Sequence, residues 1–128
     1  MDDRLRIASG SPYEPEIGFS RAIVAGRHVH VSGTAPIPPE GEPVPATAYE
    51  QARRCLEIVV AALAEAGAGP EHVVRTRTYL VDADDWRDVG RALGEIFGDV
   101  RPASTMVVVA GLLDPAWKVE LEADAILD

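Results

Sequence analysis

The strongest constraint on this chain lies near its end. Lys118–Ala125 alternates strictly, with Val119, Leu121 and Ala123 on one set of positions and Glu120, Glu122 and Asp124 on the other. A period of two is the signature of a strand with one face buried. Exposed strand faces usually mix lysine or threonine with acids, so three acids in a row call for partners. Upstream, Thr105–Ala110 carries three consecutive valines and reads as a second strand, joined to the first by a turn containing Asp114-Pro115. The chain must therefore build a sheet, and something must cover its apolar side.

Two helical patterns supply that cover. Thr47 caps a predicted helix running to about Ala66, with Tyr49, Ala52, Leu56, Val59, Val60 and Leu63 on one face and Glu50, Arg54, Glu57, Ala61 and Glu65 on the other. Gly67, Gly69 and Pro70 end it. Asp84 or Asp85 opens the second helix, whose apolar stripe is Trp86, Val89, Leu93, Ile96 and Phe97, closed by Gly98. Between them Val73–Val81 alternates as a strand, placing Val74, Thr76, Thr78 and Leu80 against Val73, Arg75, Arg77 and Tyr79. Earlier, Arg4–Ala8 reads as a short strand and Gly10–Gly18 as a loop. Ser20–Ala25 and His28–Ser32, separated by Gly26-Arg27, read as a hairpin. Thr34–Pro45, with five prolines, has no periodicity and reads as an exposed loop.

The order β-ββ-α-β-α-ββ predicts a single domain over residues 1–128. Its class is α+β in two layers, a mixed sheet of about six strands with two helices on one face. The second sheet face then has no cover from its own chain, which is an argument for self-association.

Composition narrows function by exclusion. The net charge of −9 argues against nucleic acid held by a basic face, and no apolar run approaches membrane-spanning length. The stretch Met1-Asp2-Asp3-Arg4 lacks the basic and apolar regions of a secretory leader, and the single Cys55 excludes an internal disulfide. A cytoplasmic protein is expected.

Beyond these patterns, particular motifs carry a resemblance. Pro102-Ala103-Ser104-Thr105 leads into the valine-rich strand, a Leu-x-x-Pro-like turn follows, and then Val119-Glu120-Leu121-Glu122-Ala123. With Val31-Ser32-Gly33, Gln51-Ala52-Arg53 and Tyr79-Leu80-Val81-Asp82, in that order and spacing, the chain resembles the Rid family (reactive intermediate deaminases, also called YjgF) from Gly18 through Ala125. The resemblance implies three subunits packing their sheets into a central barrel with helices outside, a homotrimer with clefts between subunits. It further implies a small, anionic metabolite as ligand, an imine, enamine or related carbonyl-derived compound, and no cofactor.

In deaminating members, the residue after Pro-Ala is an arginine that grips the substrate carboxylate. A glutamate matching Glu120 positions the attacking water. A guanidinium fork and an adjacent carboxylate suit those two tasks. Here Ser104 replaces the arginine, which removes a charged hydrogen bond of the kind that contributes about 2–5 kcal/mol to binding. Phe19 stands where many members place a tyrosine. Arg21 shares a face with Phe19 if that run is extended, and Arg21 and Arg101 are the candidates for the missing anion anchor; the commoner role for either is an exposed arginine paired with an acid. Ser32, Gly33 and Trp117 complete the expected pocket.

The other reactive residues have plainer readings. His28 and His30 share a strand face, yet a bare His-x-His is a weak metal signal and solvent-facing histidines are the commoner case; no metal site is expected. Cys55 reads as a packed thiol. Ser104 lacks the Gly-x-Ser-x-Gly elbow of a serine nucleophile. An acidic chain without a basic groove gives no support to a ribonuclease. Three classes remain: a Rid-type hydrolase or deaminase working through Glu120-held water, a non-catalytic trimer binding a small ligand in the same clefts, and a partner-binding protein that keeps only the fold.

Overall fold

The computed structural model describes residues 3–128. Met1 and Asp2, half of the N-terminal stretch weighed above for a leader, lie outside them. Strands β1 (Leu5–Ile7), β2 (Ala22–Ala25), β3 (His28–Thr34), β4 (Val73–Leu80), β5 (Ala103–Val108) and β6 (Val119–Ile126) form one sheet in the order β1-β2-β3-β6-β4-β5. All pairings are antiparallel except β4 with β5, which is the pair joined by helix α2 (Trp86–Phe97). Helix α1 (Ala48–Glu65) lies over β3 and β6 and packs against α2. This is the expected mixed six-stranded sheet with both helices on one face.

The alternation of β6 dictates where the core sits. Val119, Leu121, Ala123 and Ala125 are buried beneath the helices, together with Val29 and Val31 of β3 and Leu56, Val59 and Leu63 of α1. Thr47 caps α1 by accepting the Glu50 N–H. Gln51 is buried, an unusual place for an amide, and its side chain is fully employed. It donates to the Pro45 and Ala116 carbonyls and accepts from the Lys118 N–H, tying α1 to the loop before it and to the turn before β6.

Several expectations are corrected. Val73, not Val74, faces the helices: Val73 is 3% exposed and Val74 44%. The cause is a β-bulge, because Val73 pairs with Ala125 and Arg75 already pairs with Asp124, so Val74 has no partner of its own. Thr34 belongs to β3 and is buried, rather than opening the proline-rich loop. The Gly10–Gly18 loop closes in one wide helical turn, Glu14–Gly18, in which the Phe19 N–H reaches the Glu14 carbonyl. Asp85 stands at the N-cap of α2 as expected, but without a side-chain cap bond; Asp82 caps the short turn, Ala83–Asp85, that precedes it. Trp86 is not core but 53% exposed, because it stands at the first turn of α2 beside β5, where the sheet ends and no further strand covers the indole. Arg101 adopts a left-handed conformation (φ 56°) and caps α2 by donating its N–H to the Phe97 carbonyl.

Candidate functional site

The site is built on a second bulge. Val31 pairs with Ala123 and Thr34 with Leu121, so Ser32 and Gly33 together oppose Glu122 alone. The extra residue bends the end of β3 and brings Gly33 against β6. There the Glu120 carboxylate occupies the space in which a Cβ on residue 33 would stand. Glycine at 33 is what admits the carboxylate.

Arg21, just before β2, closes the other side. Its guanidinium donates to the Gly33 carbonyl (3.1 Å) and to Thr34 Oγ1 (2.8 Å). The Thr34 hydroxyl donates a hydrogen bond to the Ser32 carbonyl, and the Ser32 hydroxyl donates one to the Ser20 carbonyl. The bulge is thus pinned from both strands of the hairpin. Burial pushes the Glu120 carboxyl above its ordinary value; Arg21 opposes that rise and Glu122 adds to it. Burial likewise lowers the Arg21 guanidinium, against the pull of Glu14 and Glu120. A half-buried carboxylate with elevated proton affinity beside a guanidinium can hold and orient a water molecule or carry its proton.

The acidic row has found partners on the open face of the sheet. Arg77 of β4 lies 3.0 Å from Asp124 and 3.7 Å from Glu122. The Tyr79 hydroxyl donates to Glu122 (2.8 Å), and His30 Nδ1 lies 2.7 Å from Asp124. Burial alone would raise the Asp124 carboxyl, but His30 and Arg77 outweigh it and hold the group below the ordinary aspartate value. His28 stacks parallel on His30 with ring centres 6.2 Å apart.

Of the predicted site residues, Arg21, Ser32, Gly33 and Glu120 come together. Phe19 lines a neighbouring hollow of about 570 Å³ on the open face, with Ser32, His30, Arg77 and Glu122. Arg21 instead lines a second hollow of about 600 Å³, between residues 7–12 and the outer side of α1, so Phe19 and Arg21 do not share a face. Trp117 sits in the turn before β6, its N–H bonded to the Asp114 carbonyl, and lines neither hollow. Ser104 and Arg101 lie at the opposite edge, with Ser104 beside Thr76, Phe97 and Pro102 on the helix side of β5. From β2 to β5 is four strand spacings, about 19 Å. Glu120 itself is on β6, two strand spacings or about 10 Å from β5, but Ser104 is level with Ala123 and lies on the helix side of the sheet, so within one chain Ser104 and Glu120 are on opposite faces. Sequence reasoning missed Thr34, Arg77 and Tyr79 as neighbours of the site, since strand pairing alone brings them there.

Comparison with known proteins agrees with this architecture. Residues 10–127 match the family profile described as Endoribonuclease L-PSP. A protein of Streptomyces coelicolor is 42% identical over 125 residues, covering 94% of this chain and 90% of its own. The crystal structure of a Mycobacterium tuberculosis member of the YjgF family superposes with a TM-score of 0.90 at 38% identity, covering 98% of this chain and all (100%) of that one. Escherichia coli TdcF, solved with bound serine, matches with a TM-score of 0.81 at 25% identity, covering 96% of this chain and 94% of its own. With this profile match across nearly its whole length, the chain belongs to the Rid family, also called YjgF.

Proposed function

We propose that this chain is a cytoplasmic Rid-type hydrolase that acts on a small anionic imine or enamine in a cleft shared by adjacent copies of a homotrimer. The observation that carries this reading is the half-buried Glu120 carboxylate, seated over Gly33 beside Arg21. In the reaction, water held by Glu120 adds to the imine carbon and one of its protons passes by way of Glu120 to the nitrogen. Collapse of the carbinolamine then breaks the C–N bond, leaving a carbonyl compound and ammonia. Nothing else is consumed.

The trimer completes the pocket in this reading. Strand β5 is an edge of the sheet whose neighbourhood exposes Trp86, Val107 and Val108; Ser104 sits on it and Arg101 just precedes it. Threefold packing sets this edge beside the hairpin of the next copy and so delivers Arg101 to Glu120 from the far side. Serine bound to TdcF supports a small carboxylate-bearing ligand. A second reading, ligand binding without turnover, is favoured by Ser104, which offers no charge, and by Arg21, whose guanidinium is already bonded to Gly33 and Thr34.

The deciding experiment measures hydrolysis of freshly generated 2-iminobutanoate by wild type and Glu120→Gln, alongside sedimentation. A trimer whose rate falls by roughly 10²–10⁴ in the variant supports the hydrolase. Binding without turnover supports the second reading. A monomer at micromolar concentration removes both.

A further inference from the structure

We propose that Arg77 is a positioning residue for Glu120: by pairing with Glu122 and Asp124, and with Tyr79 bonded to Glu122, it draws the charge of Glu122 away from Glu120 and keeps Glu120 ionised for its task. This rests on the reading of Glu120 as a water-holding carboxylate and adds the residues that tune it.

Glu120, Glu122 and Asp124 project from one face of β6 at two-residue spacing, so neighbouring carboxylates stand about 7 Å apart. Two like charges at that distance oppose each other's ionisation, and Glu122 is the closest acid to Glu120 along the strand. On β4, Tyr79 pairs with Glu120 and Arg77 with Glu122, yet both side chains lean one position along. Tyr79 bonds Glu122 (2.8 Å) and Arg77 bonds Asp124 (3.0 Å) while still touching Glu122 (3.7 Å). His30 of β3 takes the other oxygen of Asp124, which leaves Arg77 shared between the two acids. Among the described residues, Arg21, just before β2, also acts on Glu120, and the buried Cys55 of α1 feels the charge of Glu120 electrostatically.

The test is a pH titration of the glutamate side-chain carboxyl carbons by NMR, without ligand, the Glu120 signal being the one lost in Glu120→Gln. Arg77→Leu and Tyr79→Phe should each raise the Glu120 midpoint, and Glu122→Gln should lower it, by roughly half to one and a half pH units. In the Glu122→Gln background, Arg77→Leu should have little further effect, and Arg77→Lys should stay close to wild type. Tyr79→Phe keeps the test alive should Arg77→Leu fail to fold. An unchanged midpoint in Tyr79→Phe and Arg77→Leu, or a shift from Arg77→Leu that persists in full without Glu122, overturns the proposal. Because no substrate is involved, that outcome is separate from a failure of the hydrolase reading, which would show as turnover indifferent to Glu120→Gln.

Discussion

Gly33 and Glu120 share one volume: the carboxylate of the second lies where the side chain of any other residue at the first would begin. The atom in the way is the far end of a flexible side chain, so Gly33→Ala should leave folding nearly intact and move Glu120 instead. We expect a melting temperature within a few degrees of wild type and a loss of any Glu120-dependent activity approaching that of Glu120→Gln. A variant that melts normally and keeps full activity would show that the seat over Gly33 is not where the carboxylate works.

The same placement sets a cost that pH reveals. Burial, only partly countered by Arg21, raises the folded-state pKa of Glu120 above its unfolded value. A raised carboxyl destabilises the fold at pH values above its folded-state pKa, and the penalty fades as pH falls through that value and the group protonates. Glu120→Gln should therefore melt higher than wild type at pH 7, with the difference shrinking toward pH 4. Asp124 runs the other way. Its depressed carboxyl contributes stability that is full above its unfolded value, near 4, and is lost as pH falls through the lower folded one. Asp124→Asn should consequently melt lower than wild type at pH 7 and converge with it in strong acid. Opposite signs for two acids on one strand face would be hard to obtain from general charge repulsion.

How much of this was readable from sequence depends on periodicity. The alternation of Lys118–Ala125 and the stripe of α1 located both the sheet and its buried face, and the spacing of motifs gave the family. Bulges defeat such reasoning, because an unpaired residue breaks the period of two: Thr76, Thr78 and Leu80 lie on the expected face, but before the bulge Val73 and Val74 exchange faces, and Thr34 belongs to the core rather than the loop. Trp86 misled because an apolar residue at helical spacing is buried only where there is a sheet beneath it, and β5 is the last strand. Glu120 and Gly33 were each legible as site residues. That Gly33 makes room for Glu120, and that Arg77 and Tyr79 serve the acidic row, follows from register between strands more than forty residues apart in sequence.

Cys55 offers a check on the core. Its thiol is buried and bonded weakly to the Val119 carbonyl, and burial, with Glu120 nearby, pushes its pKa far up. A thiolate is the reactive form. The native protein should fail to react with a disulfide reagent over hours at pH 8 and should release one equivalent promptly in denaturant. Rapid labelling of the native state would mean that α1 opens readily from β6.

The last prediction concerns Ser104, because it separates what the pocket lacks from what it keeps. The residue is exposed at the free edge of the sheet, about 19 Å across the strands from the hairpin, so an arginine there has room to extend without disturbing the core. Within its own chain it lies on the opposite sheet face from Glu120; in the proposed trimer the two would meet across a subunit boundary. Ser104→Arg should therefore raise 2-iminobutanoate hydrolysis, mainly through a lower KM, since a guanidinium fork grips the carboxylate before the chemistry begins. The gain should vanish in a Ser104→Arg, Glu120→Gln double variant if both residues serve one pocket. It should vanish also in Ser104→Arg combined with Val108→Arg, which places charge on the apolar edge and should drive the assembly to monomers on sedimentation. Mixing subunits supplies the sharper control. Trimers assembled from Ser104→Arg, Glu120→Gln double-variant chains and from wild-type chains should recover the gain at the interfaces where an arginine from one copy meets an intact Glu120 from another. If the gain in Ser104→Arg survives dissociation into monomers, the anchor and the carboxylate meet within one chain, and the shared cleft is wrong.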